Sequence, residues 1–366
     1  KLLVQTPNRP IAVIFEQTCR KNIRKLVRKA DRLGMTCRPH FKTHQSATIG
    51  KWFADEGVTG ITVSSPEMAN YFATHGWTDI TIAFPFFKEQ AMIINQINPA
   101  CKIRLFVHSS DDLEYISHHI NSPVGIMIEI DSGYSRSGVK ISEREKIKKI
   151  KETAHYTQNI HFAGFYTHDG GTYHVSGIEA VKKVIERDLT AFQSLQEEYP
   201  DAIYGVGDTP SCSLLDNFEP VTELSPGNLV FYDLMQIEIG SCSYDDLGML
   251  VKVPVAQEKP DSNQCIIHGG AVHFSKDRLN IDGNIVYGQP VIVDSAGKIT
   301  KVEGSHLSAL SQEHGTVDGL EALKLAYDTD ELKELWICPV HSCLTANLFK
   351  RYHLQDGTTI EKRLLS

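Results

Sequence analysis

Eight short apolar runs separated by helix-length segments fill the stretch from Thr36 to Leu224, and this alternation restricts the fold more than any other feature. The runs are Thr36–Lys42, Gly60–Ser64, Asp79–Phe84, Lys102–His108, Gly125–Asp131, His161–His168, Tyr204–Gly207 and Val221–Leu224. Runs such as VGIMIEID are apolar on both faces, as strands of a parallel sheet covered by helices must be. Thr48–Glu56, Pro66–His75, Lys88–Ile97, Ser110–His119, Ser142–Tyr156 and Ile178–Tyr199 carry helical spacing, and the seventh connection, Ser211–Asp216, is short. Eight such repeats in about 200 residues predict an α/β fold built on a TIM (β/α)8 barrel. Beyond Gly240 the texture changes to MLVKVPVAQ, NQCIIHGGAV, a DGN turn at Asp282–Asn284, QPVIVDSAG and ELWICPVHSC, which predicts a C-terminal β domain. The expected division is a barrel over 11–238 and a β domain formed by 1–10 with 239–366, with Pro10–Arg32 supplying a strand and helix ahead of the first repeat.

With 37 basic against 45 acidic residues the net charge is −8, which argues against nucleic acid as a partner because phosphate binding needs a basic face. The basic run Arg20–Arg32 has helical spacing and reads as a solvated helix face. No run of about 18 apolar residues is present to span a bilayer, and KLLVQTPNRP lacks the apolar core of a signal peptide, so a cytoplasmic location is expected. The eight cysteines are scattered without a CxxC, a pattern expected of reduced thiols rather than a disulfide framework.

In such a barrel the chemistry sits at the C-terminal ends of the strands, and these ends are polar here. Strand one ends in RPHFKTHQS, with Lys42 between two histidines; a lysine at a buried strand end has its pKa lowered towards the range where the neutral amine attacks carbonyls. Lys42 is therefore a candidate Schiff-base lysine. Strand five ends in Asp131 followed by Arg136, strand six in His168 and Asp169, strand seven in GDTPS and strand eight in SPGN. Thr209, Gly227 and Asn228 read as a phosphate cradle, offering a hydroxyl, helix-terminal amides and a glycine that permits close approach. A lysine, a phosphate site and an arginine between them fit pyridoxal 5′-phosphate (PLP). Arg136 would face the cofactor ring, or else pair with Asp131; Tyr173 would contact the phosphate and His168 would line the ring.

The motifs RPHFKTH, EIDSGYSRSGV, GFYTHDGGTY, GDTPS, ELSPGNLVFYD, SQEHG and PVHSC occur in the order seen in the D-serine dehydratase and D-threonine aldolase family, which this sequence resembles over nearly its whole length. The resemblance implies an alanine racemase-like, fold type III PLP enzyme that works as a homodimer on a small D-amino acid, with Lys42 as the PLP lysine and Arg136, Tyr173, Thr209, Gly227 and Asn228 as cofactor contacts. In PVHSC, His341 and Cys343 lie two apart on an expected extended strand, where both side chains share a face and both are zinc donors, although HxC is also an ordinary buried pair. The resemblance implies a divalent metal at this pair, and thiolate ligation favours Zn2+ and the dehydratase over the aldolase, whose relatives carry aspartate there. His44 and His314 are candidates for a base or an outer ligand. The expected activity is β-elimination from D-serine to a 2-keto acid and ammonia; the alternative is retro-aldol cleavage of D-threonine to glycine and an aldehyde. A racemase, or a PLP-binding protein without turnover, fits PVHSC less well.

Overall fold

A computed structural model describes residues 7–363. The expectations that rest on residues 1–6, their place in the β domain and most of the signal-peptide reading, lie outside the described residues. The chain divides into two compact units, Arg24–Gly227 and the chain through Ile23 together with everything from Asn228 onward. These boundaries differ from those expected at 11 and 238. Ile11–Ile14 pairs antiparallel with Met249–Lys259 and parallel with Arg351–Leu354, so it is a strand of the β unit.

The first unit carries all eight expected repeats. Its strands lie in the order Thr36–Cys37, Glu223–Leu224, Ile203–Val206, Ile160–Thr167, Val124–Asp131, Lys102–Val107, Asp79–Pro85, Ile61–Val63, and every neighbouring pair is parallel. A bridge between His40 and Thr62 joins the two ends and closes the barrel. The first strand is regular for only two residues because Pro39 has no N–H to contribute. The segment nevertheless stays attached on both sides: Arg38 N and His40 N donate to Leu224 and Pro226 carbonyls, while Thr62 N donates to Pro39 O and Phe41 N to Thr62 O.

One buried ion network ties four strands of this barrel together. The Arg38 guanidinium, 3% exposed, donates to both Asp79 carboxylate oxygens at 2.9 and 2.8 Å and to Glu223 Oε2 at 2.9 Å, and Arg104 reaches the same Glu223 oxygen at 2.8 Å. Burial alone would push the Asp79 carboxyl up, but the bidentate Arg38 holds it below its ordinary range. The basic helix Glu16–Arg32 forms as expected, with Arg24 pairing to Glu56 and Arg32 to Asp216.

The second unit is a largely antiparallel ten-stranded sheet. Strands Gln264–His268, His314–Asp318, His306–Leu310, Gly288–Val293, Glu334–Pro339 and Met249–Lys259 follow one another in the sheet, and the last also pairs with the first, closing a small barrel. Its interior holds Val251, Val253, Ile267, Leu307, Val317, Leu335 and Ile337. The DGN segment turns the hairpin Leu279–Ile281 to Asn284–Val286, with Asp282 and Gly283 both at positive φ. All eight cysteines are free thiols. No described helix is long and apolar enough to cross a membrane.

Candidate active site

Lys42 lies in a turn after the first barrel strand, is exposed to solvent, and is not at the buried strand end expected of it. What surrounds it is charge rather than hydrocarbon. His40, 7% exposed, accepts a hydrogen bond at Nδ1 from Lys42 N at 3.3 Å. Burial first, then the Lys42 charge, His168 and Arg136, hold His40 well below the ordinary histidine range. His168 is pushed down to about 3 by burial, Arg136 and Lys42, against a hydrogen bond with the Gly207 backbone. Lys42, His40, His168 and Arg136 thus form one electrostatic group in which both imidazoles are neutral. His40, passed over in the sequence, is the nearest of these to the Lys42 backbone; its signal was the spacing of two residues from the lysine.

Arg136 pairs with Glu129, at 3.4 Å, and not with Asp131. Asp131 is used locally, accepting from Gly133 N and Ser135 N at 2.9 Å each to shape the loop that carries Arg136. His44 is fully buried, stacked on Phe53 and packed against Phe41 and Phe72, with Nδ1 accepting from Ser46 N. These contacts make it a packing residue behind the Lys42 turn rather than a side chain open to substrate.

Of the expected phosphate residues of the barrel unit, Tyr173 and Thr209 are brought together, while Gly227 packs against the Lys42 turn. Asp169 accepts from Gly171 N and caps the turn Gly170–His174, which sets Tyr173 so that its hydroxyl accepts from Thr209 N at 3.1 Å. Asp208 caps the helix Thr209–Leu214 by accepting from Ser211 N, and burial pushes its carboxyl up to about 6. Thr209 Oγ1 and Ser211 Oγ are fully buried; Thr209 Oγ1 has no hydrogen-bond partner among the described residues, while the Ser211 hydroxyl lies against the Asp208 carboxylate. Buried hydroxyls of this kind require an acceptor or donor, which a phosphate group supplies. A Cβ at Gly227 would stand 2.8 Å from His40 O and 2.9 Å from Thr43 Oγ1, so only glycine lets this loop close on the Lys42 turn. Thr209, Tyr173, Gly227 and Lys42 therefore fit PLP, and Ser211 joins the residues anticipated.

Asn228 belongs to the β unit by its contacts. Its Nδ2 donates to Asp233 Oδ2 at 2.6 Å and Ser342 Oγ at 3.1 Å, and lies 3.6 Å from Cys343 Sγ. Asp233 also accepts from Ser342 N at 2.8 Å, which fixes the start of the helix Ser342–Leu348. His341 is the residue before this helix and Cys343 lies in its first turn, so the pair sits at a strand-to-helix junction instead of along an extended strand. The two side chains still meet. Burial would lower His341, but hydrogen bonds to Asp277 and Cys343 outweigh it and raise the imidazole to about 11. Asp277 Oδ2 stands 2.7 Å from His341 Nδ1. With Asp277 on Nδ1 and Cys343 hydrogen-bonded to the ring, imidazole and thiol face each other, and once deprotonated they are a soft donor pair suited to zinc. His314, also considered, is exposed at the start of the strand His314–Asp318, directly across from His268.

Residues 14–234 match the family of the alanine racemase N-terminal domain, and residues 249–355 match the Putative serine dehydratase domain. The chain is 28% identical to a D-threo-3-hydroxyaspartate dehydratase of Delftia sp. (strain HT23), over 95% of this chain and 94% of that protein. It is 25% identical to a D-serine dehydratase of Dictyostelium discoideum, over 95% and 93% of the two chains. The solved Delftia enzyme superposes with a TM-score of 0.86 at 28% identity, covering 100% of this chain and 99% of that one. A metal-free, cysteine-to-alanine variant of the D-threo-3-hydroxyaspartate dehydratase superposes equally well, at 0.86 and 27% identity over 100% of this chain and 99% of that one.

Proposed function

The chain belongs to the alanine racemase N-terminal domain family, extended by a serine dehydratase domain, and from that premise we propose that it is a PLP- and zinc-dependent lyase of D-3-hydroxy amino acids. D-Serine dehydration to a 2-keto acid and ammonia is the first reading, and cleavage of D-threonine to glycine and an aldehyde is the second. The observation that carries the lyase reading is the His341–Cys343 pair with Asp277 at Nδ1, because a racemase has no use for a soft metal donor set. The thiol favours the dehydratase, and the names of the relatives agree with it.

PLP, when bound, draws electrons from the substrate Cα and so weakens its bonds to hydrogen and to Cβ. Lys42 would hold the cofactor through Nζ and would take up the Cα proton at the same atom. His40 and His168 are held below the ordinary histidine range by burial first, with Lys42 and Arg136 adding to it, so they do not compete with Nζ as cations. Thr209, Ser211, Tyr173 and Gly227 would hold the phosphate. His341 and Cys343 would hold the zinc, which would supply Lewis acidity for a substrate β-hydroxyl. Asp277 would orient the His341 ring.

The test is product analysis of purified protein with D-serine and D-threonine, with and without zinc, and with the L-isomers as controls. Zinc-dependent 2-keto acid from the D-isomers is the expected result. Glycine and acetaldehyde from D-threonine would select the aldolase, and metal-independent racemisation would overturn the lyase reading.

A further inference from the structure

The β unit carries a second cluster of metal-ligating side chains. His268 ends the strand Gln264–His268, His273 lies on the short helix Ala271–Phe274, and Glu313 sits in the turn between His306–Leu310 and His314–Asp318. One donor atom from each lies within 4.8 Å of the others. One of the separations already matches what a metal demands. Ligand bonds of about 2.0–2.1 Å in a tetrahedron place donors roughly 3.3 Å apart. His268 Nε2 stands 3.3 Å from Glu313 Oε2 already, and His273 Nε2 stands 3.9 Å from the same oxygen, a gap that side-chain rotation closes. The two imidazole planes cross at 88° with centroids 5.4 Å apart, so they converge rather than stack.

The backbone beneath is fixed. Gly269 N donates to Glu313 O at 2.9 Å, Ala271 N to Ser311 O at 2.8 Å and Val272 N to Gln312 O at 3.2 Å. A Cβ at Gly270 would lie 2.3 Å from Gln312 O, and one at Gly315 would lie 2.6 Å from Gly269 O, so glycine at both positions permits this approach. The ligand-bearing segments are therefore held together without an ion.

We propose that His268, His273 and Glu313 form a second divalent transition-metal site, of the zinc class, with three protein ligands and a solvent-filled fourth position. Two imidazoles and one carboxylate suit zinc better than the oxygen-seeking magnesium or calcium. The site would clip the 311–313 turn to the 269–274 segment, and it is independent of which reaction the protein catalyses.

The experiment is zinc titration by calorimetry of the full-length, untagged, chelator-treated protein. Cys343→Ala removes the donor pair described above, and this variant is expected still to bind one zinc per chain and to gain thermal stability with it. Adding Glu313→Gln or His273→Ala is expected to weaken that binding by more than the roughly 10–100-fold that loss of an outer-shell partner costs. Glu313 is half exposed, so its amide variant tests the ligand without disturbing the core. A Cys343→Ala protein that binds no zinc, or binds it as well after either added substitution, would overturn the site.

Discussion

At the scale of single residues, the environment of Lys42 departs from what its sequence context suggested. The lysine is set in an exposed turn, and its charge is among the causes that hold His40 and His168, after burial, below the ordinary histidine range. Lys42, Thr209 and Tyr173 stand out in the sequence as polar residues at barrel strand ends, where this fold places its chemistry, and the structure sets the Tyr173 hydroxyl on Thr209 N. His40 and His44 flank the lysine symmetrically in sequence, yet one faces the charged group and the other is sealed among three phenylalanines, a difference that only the turn geometry creates. The buried, unpartnered hydroxyl of Thr209, with the buried Ser211 hydroxyl on the same short helix, gives a quantitative expectation. Hydrogen bonds to a charged group contribute about 1.5–3 kcal/mol each, so Thr209→Val with Ser211→Ala should raise the PLP dissociation constant at least tenfold, measured by equilibrium dialysis. An unchanged constant would remove these two hydroxyls from the cofactor site.

At the scale of elements, strands apolar on both faces identified themselves, since the alternation of buried runs and helical spacing is dictated by a covered parallel sheet. All eight were legible, although the first and last shrank to two regular residues where proline and sheet closure intervene. The helix Ser342–Leu348 was hidden because SCLTANL follows an apolar strand without a break or a charge, which is why His341 and Cys343 were placed on a strand. The long helix Ile178–Gln196 carries a buried consequence. Its Asp188 is raised to about 7 by burial, against hydrogen bonds from Ser132 and Thr167, with Asp169 adding to the rise. Between the ordinary unfolded value near 3.8 and about 7 the folded chain holds more protons than the unfolded one, so stability from this site falls as pH rises through that window. Asp188→Asn should therefore gain in melting temperature relative to the parent between pH 5 and pH 8, by thermal denaturation at both. A difference that does not change with pH would show that Asp188 is ionised in the folded state throughout.

At the scale of the whole molecule, the order of its two kinds of texture was readable from the sequence, a barrel followed by a β domain, while the boundaries were not. Ile11–Ile14 is four residues of ordinary apolar strand, and nothing local reveals that its partners are Met249–Lys259 and Arg351–Leu354, more than two hundred residues away. The family matches fall on the same two textures, residues 14–234 and 249–355. The claim on which the rest depends is that Lys42 carries PLP. It is tested by reducing the PLP-loaded protein with borohydride, digesting it and locating the pyridoxyl group by mass spectrometry. The account predicts one modified peptide containing Lys42, and none from Lys42→Ala, while modification of any other lysine, or of none, would contradict it.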